Sequence, residues 1–304
     1  MIRMSNVTLQ PACWRAGQIN NYVKKQIIVA GTAFIAVLLL FFLGRTTEKK
    51  SSQKHTEQVS NVQSFDIQRF IAESTQKLSP SQRQALTKLE QDTSNSSIPN
   101  EKIKQFQGLS NFWKDSAKQI EPYLFYVSRA AKLDNSEKNL NFAAQLFLEA
   151  LRAEQDNGKL DWETSEAISL FEQAIKINPD NDDLRIGLGS CYIYGKGRSG
   201  NPEQTMKGIQ ELLAVARRDS NNMKAQVVLG VGGLVSGQFD KALERFQKVV
   251  SKEPGNLEAI AYLADAYAAK GNKEEAIRWY TVSKRLANNP HYTQEVDKRI
   301  QSLK

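Results

Sequence analysis

A repeat of 34 residues constrains this chain more than any other feature. Residues 237–256, GQFDKALERFQKVVSKEPGN, match residues 271–290, GNKEEAIRWYTVSKRLANNP, at an offset of 34 positions. A fixed period of roughly 20 to 50 residues is typical of stacked repeats. Within each unit, apolar residues follow the i, i+3, i+4, i+7 spacing of a helix better than strand alternation. The repeat therefore predicts helical hairpins, each stacked on the next.

The matched positions hold small or apolar residues that a hairpin would bury between its two helices, followed by a proline where the chain leaves the second helix. Shifting the pattern upstream gives two less regular units, with a seven-residue insertion in the turn at residues 194–204. The repeat-defining residues are Ala167, Phe171, Ala174, Pro179, Leu188, Gly189, Gly208, Leu212, Leu229, Gly230, Ala242, Phe246, Pro254, Leu263, Ala276 and Tyr280. We predict about four hairpins over residues 137–290 and a C-terminal capping helix over residues 291–304.

The pattern resembles the tetratricopeptide repeat, through Leu229, Gly230, Ala242, Phe246 and Pro254. The second unit departs from the family at its exit, since it has Asn where the family usually has Pro. The resemblance implies an all-α fold, a right-handed superhelical stack of helical hairpins. It also implies a concave groove, lined by the first helix of each hairpin, that binds a protein or peptide partner.

A run of glycines interrupts the first helix of one hairpin. Residues 230–233 read Gly-Val-Gly-Gly, and each glycine costs a helix about 1 kcal/mol relative to alanine. Another element must therefore pack closely against this helix.

Residues 26–44, QIIVAGTAFIAVLLLFFLG, are nineteen residues without a charge. About twenty such residues span the hydrocarbon core of a bilayer. A cleaved secretory signal is the alternative, but its apolar region usually has about 7–15 residues and a small-residue cleavage site follows it. No such site precedes Arg45. We therefore predict a transmembrane helix, with a short basic tail at residues 1–25 before it and a flexible polar stalk at residues 45–62 after it.

Residues 63–136 predict a helical N-terminal cap region, with a degenerate repeat as the alternative. One helix start is explicit in the sequence SPSQ. Ser79 is the predicted N-cap, Pro80 lies in the first turn and Gln82 reaches back to the cap.

The basic residues concentrate around the predicted span. The chain has a net charge of +8, and residues 1–60 contain eight Lys or Arg against two Asp or Glu. The repeats therefore lack the basic stripe of a nucleic-acid binder.

Positive charges flank the predicted span on both sides, so the positive-inside rule does not orient it. The layout resembles bacterial inner-membrane proteins with a short cytoplasmic tail and a periplasmic tetratricopeptide domain, such as cytochrome c maturation factors. This resemblance favours an inner-membrane protein whose large C-terminal domain is periplasmic.

The residues that usually carry catalysis are scattered. His55 and His291 have no Cys or His at zinc-ligand spacing. Cys13 and Cys191 are expected on opposite sides of the membrane, which excludes a disulfide between them. Residues 189–197, GSCYIYGKG, depart from a phosphate-binding loop in spacing and in the final Ser or Thr, and we interpret them as a loop between two helices. We predict no enzyme, no cofactor, no metal and no small-molecule substrate.

The predicted groove is apolar. One tetratricopeptide subclass grips a C-terminal carboxylate with Lys and Asn at the fifth and ninth positions of the first helix. Those positions here are Ile186 and Ser190, Val227 and Val231, and Ala261 and Asp265. The candidate groove residues are Ile193, Tyr194, Val227, Val231, Leu234, Tyr262 and Asp265. Exposed together they would bind an amphipathic helix or an extended segment. The alternative is that the valines pack against neighbouring helices.

These observations predict a non-catalytic, membrane-tethered scaffold or adaptor that binds a partner protein in its groove. The alternative is a chaperone-like assembly factor that holds exported or unassembled client proteins in the cell envelope. The sequence contains no site that would support an enzyme.

Overall fold

The part of the chain that the structure describes is entirely helical. The computed structural model describes residues 64–94 and 98–304, where it contains thirteen α-helices and no strand. The helices are α1 Ile67–Gln76, α2 Pro80–Ser94, α3 Pro99–Asn111, α4 Ile120–Asp134, α5 Glu137–Ala153, α6 Asn157–Ile177, α7 Asp182–Cys191, α8 Pro202–Arg218, α9 Met223–Val235, α10 Phe239–Lys252, α11 Leu257–Ala269, α12 Lys273–Ala287 and α13 Pro290–Leu303. Two π-helical turns, π1 Phe112–Ser116 and π2 Tyr192–Gly197, directly follow α3 and α7.

Asparagine side chains cap the first helices of the second, third and fourth hairpins. The Asn222 side chain accepts a hydrogen bond from the backbone N–H of Ala225 at 3.0 Å, and Asn256 accepts one from Ala259 at 2.9 Å. Asn181 does the same at the start of α7. Each cap satisfies a backbone N–H that has no partner within the helix, so the first helix of a repeat begins at a fixed position of the pattern.

Consecutive helices pair as antiparallel hairpins and each hairpin packs on the next. The pairs are α5 with α6, α7 with α8, α9 with α10, and α11 with α12. They correspond to the four hairpins predicted over residues 137–290, and α13 packs against α12 after the last of them. The predicted all-helical solenoid is confirmed. A hairpin cannot bury both of its faces alone, which is why the stack needs its neighbours.

A further pair of helices precedes the repeats. Helices α3 and α4 pack together as a hairpin, and α4 packs on α5. Helix α2 begins with the predicted capping box. The Ser79 N–H donates to Oε1 of Gln82 at 3.0 Å, and the Gln82 N–H donates to Oγ of Ser79 at 3.2 Å. The Gln82 side chain also donates to the Ser116 carbonyl at 2.8 Å, which ties α2 to the end of π1.

The glycines of the repeat pattern mark close approaches of helices. A Cβ on Gly230 would lie 2.4 Å from Cε1 of Phe246, and one on Gly189 would lie 2.7 Å from Cγ of Leu212. These two pairs occupy the same places in successive hairpins, so each first helix rests directly on an apolar side chain of its own second helix. The close packing predicted for the glycine run is confirmed, since Gly233 similarly leaves room for Ala242.

The repeat-defining residues contribute to two buried clusters, a large core and a small one at the C-terminal end. All of them are buried except the two prolines, which are exposed in the turns after α6 and α10. The core runs from Ile71 in α1 to Ala266 in α11. A second, small cluster around Val296 joins α11, α12 and α13, with Tyr292, Ile300 and Leu303 packed on it. The last helix therefore covers the end of the stack with one apolar stripe.

The seven-residue insertion extends a helix. We predicted a loop for residues 189–197, and that prediction is wrong, because α7 continues into π2 up to Gly197. Small residues make this possible, since a Cβ on Gly195 would lie 2.1 Å from Oγ1 of Thr164. Beyond π2, the Arg198 guanidinium donates to the Leu151 carbonyl at 3.1 Å and to the Glu154 carbonyl at 2.9 Å. The insertion thus holds the C-terminal end of α5.

The predicted membrane segment lies outside the residues that the structure describes. Residues 1–62, which contain the predicted tail, the span at 26–44 and the stalk, are not among them. Among the helices that the structure does describe, none combines the length and apolar character that crossing a membrane requires.

Candidate partner-binding groove

The first helices of successive hairpins line a groove of about 510 Å³. Helix α5 contributes Asn141 and Gln145, α7 contributes Asp183 and Ile186, and α9 contributes Lys224 to its walls. The start of α11 closes one side through Asn256 and Glu258. The groove is therefore formed by the repeat itself, with each hairpin presenting its first helix to the same space.

The lining residues occupy equivalent positions of their helices. Asn141 and Gln145 are the fifth and ninth residues of α5, and Ile186 and Ser190 are the fifth and ninth residues of α7. Val227, the fifth residue of α9, lies in the same groove. Residues four apart lie on one face of a helix, so both positions face the groove in α5 and α7, and the fifth position does so in α9.

An arginine bridges the groove between distant repeats. The Arg152 guanidinium lies 4.5 Å from the centre of the Tyr194 ring and donates to the Tyr194 hydroxyl at 3.0 Å. It also forms an ion pair with Glu258 at the start of α11. Burial raises the pKa of Tyr194, so its hydroxyl stays protonated and accepts from the arginine. This contact links the first repeat to the fourth and closes one end of the groove.

The charges that line the groove leave an excess of carboxylates. Lys224 pairs with Asp183 at 3.1 Å, and Arg152 pairs with Glu258. Glu149 is exposed in the groove and has no ion-pair partner among the described residues. Glu253 accepts a hydrogen bond only from the neutral amide of Asn256, at 2.8 Å. Both cations of the lining are thus already paired, and the unpaired charge is negative.

Two of the seven candidate groove residues line this space, Tyr194 and Val227. Ile193 is fully buried and would touch a Cβ on Gly232. Val231 is only 6 % exposed, and Leu234 is half-buried against the same core. The alternative that the valines pack against neighbouring helices therefore describes Val231, and Ile193 and Leu234 also pack against the core. The groove is mainly polar where we expected it to be apolar.

The remaining two candidates have structural partners. Tyr262 stacks on Phe246 with ring centres 5.6 Å apart. Asp265 accepts hydrogen bonds from the Tyr280 hydroxyl and from the Arg299 guanidinium, the latter at 2.8 Å. Arg299 belongs to α13, so Asp265 holds the capping helix and not a ligand.

Sequence reasoning missed the polar wall that α5 provides. The predicted groove residues come from the fifth and ninth positions of α7, α9 and α11 and from their neighbours, without those of α5. The same count from Glu137 gives Asn141 and Gln145, and the same count from Pro99 gives Ile103 and Gln107. The same count of helix positions, applied to the two preceding hairpins, therefore identifies the groove residues of α5 from the sequence.

One buried acid lies outside the groove. Glu163 in α6 is 1 % exposed, and its Oε2 atom has no hydrogen-bond partner among the described residues. Burial, together with the nearby carboxylates of Glu154 and Glu121, raises its pKa from 4.5 to about 8. Burial also raises the pKa of the Cys191 thiol. Within the described ranges, no group of three or more potential ligands could hold a metal ion.

The repeat pattern has a known counterpart. The family model of the tetratricopeptide repeat matches residues 163–225 and 234–294. These two stretches, at least, resemble tetratricopeptide repeats. The crystal structure of a thermophilic tetratricopeptide protein from Thermus thermophilus has the same fold, with a TM-score of 0.50 and 15 % identity over 66 % of this chain and 98 % of that one. The matched tetratricopeptide proteins indicate no enzyme family.

Two curated proteins are similar to parts of this chain. The BBSome complex member BBS4 of Bos taurus is 30 % identical over 110 residues, which are 36 % of this chain and 20 % of that protein. Human (Homo sapiens) tetratricopeptide repeat protein 6 is 25 % identical over 130 residues, 43 % of this chain and 24 % of that protein. The chain thus spans a quarter or less of these relatives. Tetratricopeptide repeats generally mediate protein–protein interaction through their concave surface.

Proposed function

We propose that this protein is a non-catalytic, membrane-tethered scaffold that holds an extended segment of a partner protein in the groove between α5, α7 and α9. The observation that carries this proposal is the groove itself. Its walls consist of equivalent positions from three consecutive first helices, which is how a solenoid presents a binding surface.

The chemistry of the walls suits a peptide backbone. Asn141 and Gln145 place side-chain amides in the groove, where the amide N–H of Asn141 can donate to a peptide unit and the amide oxygen of Gln145 can accept from one. The Arg152 bridge fixes the spacing of the repeats, so the groove is formed before a partner arrives. A preformed site loses less conformational entropy on binding than one that must first become ordered.

In-cell photocrosslinking tests the groove. A photoreactive residue replacing Gln145 should give one dominant protein adduct, identified by mass spectrometry. The matched control replaces Glu244, an exposed residue of α10 that does not line the groove. The same adducts from both positions, or none from Gln145, would show that the groove does not hold a partner.

The same experiment separates a scaffold from a chaperone-like assembly factor. An exposed aromatic ring, Phe142 on α5, favours the second function because holding factors use accessible apolar surface. A scaffold gives one adduct at a fixed ratio to the protein. An assembly factor gives many adducts of low yield, which increase when protein export is blocked.

We also propose that residues 26–44 anchor the protein in the inner membrane, with the repeats in the periplasm. The uncharged apolar run supports this proposal. The chain has two cysteines, and Cys191 is buried, so a membrane-impermeant maleimide reports on Cys13 in the N-terminal tail. Cys13 should stay unlabelled in intact spheroplasts, whereas a Ser51→Cys variant should be labelled. The reverse pattern would place the repeats in the cytoplasm.

A further inference from the structure

A second cavity lies beside the first turns of α5. It has a volume of about 340 Å³ and is bounded by α3, α4 and the first turns of α5. Its floor is apolar, with Val127, Ala130 and Ala131 of α4 beneath Ile103 of α3. We call this space the leading cleft and the space between α5, α7 and α9 the repeat groove.

One helix connects the two spaces. Phe142 lines the leading cleft, and Gln145 and Glu149 line the repeat groove. These residues are spaced i, i+3 and i+7 in α5, so they follow one another along a single helix face. Phe142 is 56 % exposed, although it is a large aromatic residue beside an apolar floor. A partner segment that crosses α5 would therefore contact both spaces in succession.

The two spaces carry opposite charge. Among the residues that line the leading cleft, the single charged one is Lys114, and it has no ion-pair partner in the described part of the chain. Its ammonium lies 5.6 Å from the centre of the Tyr123 ring. In the repeat groove, the unpaired charges are the carboxylates of Glu149 and Glu253. Exposed charges of this kind select a partner of complementary charge and fix its register.

We infer that the partner segment is charge-segregated: an apolar and acidic half binds in the leading cleft and a basic half binds in the repeat groove. This inference rests on the proposed function and specifies the chemistry of the ligand. An apolar side chain covers Phe142 and the floor of the cleft, and an adjacent carboxylate meets Lys114. In the half of the partner segment that has crossed α5, lysine or arginine side chains meet Glu149. The opposite charges give the bound segment one direction across the concave surface.

Two synthetic peptides of identical composition test the inference by fluorescence anisotropy with the full chain in detergent. One carries Phe and Asp in one half and Lys in the other, and its control has Asp and Lys in alternation. The segregated peptide should bind at least about threefold more tightly, because an exposed ion pair contributes a small factor in affinity and several act together. Lys114→Glu and Glu149→Lys should each weaken it about three- to tenfold. Reversals at exposed positions outside both spaces, Lys298→Glu and Glu244→Lys, should leave its affinity unchanged.

A benzophenone placed in the acidic half of the segregated peptide gives an independent readout. It should label α3, α4 or the start of α5, whereas a benzophenone in the basic half should label α7 or α9. Equal affinity of the two peptides, equal effects of the test and control reversals, or an exchanged labelling pattern would each overturn the inference. The adduct from Gln145 in cells would still stand in those cases, because it reports a partner in the groove whatever the charge pattern of that partner. Loss of that adduct would overturn the proposed function.

Discussion

Replacing Gly230 with alanine should destabilise the stack, although the same change usually stabilises a helix. Alanine is favoured over glycine in a helix by about 1 kcal/mol. The added Cβ, however, would lie 2.4 Å from Cε1 and 2.6 Å from Cζ of Phe246. Carbon atoms pack best at about 3.5–4.0 Å, so the ring would have to move by roughly 1 Å. Phe246 is fully buried and stacked on Tyr262, which leaves the ring no space.

Overpacking of this kind typically costs about 1–3 kcal/mol. After the gain in helix propensity, we expect Gly230→Ala to lower the free energy of unfolding by up to about 2 kcal/mol. Gly108 in α3 is the matched control, because its added Cβ would lie 3.4 Å from Cδ2 of Leu89, an ordinary contact. Gly108→Ala should therefore raise stability by about 0.5–1 kcal/mol.

Urea unfolding followed by circular dichroism measures both changes, and hydrogen exchange of the α9 and α10 amides places the loss of Gly230→Ala at this hairpin. In a double-mutant cycle, Phe246→Leu should cost less when Gly230 is already alanine, because the smaller side chain relieves the overlap. A stabilising effect of Gly230→Ala similar to that of Gly108→Ala, or an absence of coupling between residues 230 and 246, would contradict this prediction.

Two further predictions concern buried and bridging carboxylates. The pKa of Glu163 is raised from 4.5 to about 8, so the folded state binds this proton more tightly than the unfolded state. The free energy of unfolding that this proton contributes is therefore lost as the pH rises through that range. The wild-type melting temperature should fall over this range and that of Glu163→Gln should fall less; parallel profiles would exclude Glu163 as the cause. Asp265→Asn weakens the charged contact with Arg299, at a cost of about 1 kcal/mol. Hydrogen exchange should increase mainly in α13, and a uniform increase throughout the stack would contradict this role of Asp265.

The elements of the fold were predictable because they depend on local rules. The helical spacing of the apolar residues within each repeat and the Ser79 capping box each act over a few residues, and the structure contains them where the sequence indicates. The insertion was not predictable in the same way. Glycine at 195 and 197 suggested a loop, but in the folded chain it allows a π-helical turn to approach Thr164 and Thr205. Glycine supports both a turn and a close contact, and only the neighbouring helix decides between them.

The sequence predicted a groove lined by the first helices of the hairpins, but not which residues line it. Val231 and Ile193 are apolar residues on first helices, and this pattern alone does not separate a residue that lines a groove from one that packs between repeats. The sequence by itself therefore determined which residues form helices, which side chains are buried within a hairpin and how many hairpins stack. The tertiary structure decided which polar side chains share the groove and where Arg152 meets Glu258, 106 residues away along the chain. Contacts of that separation depend on how several repeats rotate relative to one another, and no short-range spacing in the sequence encodes that rotation.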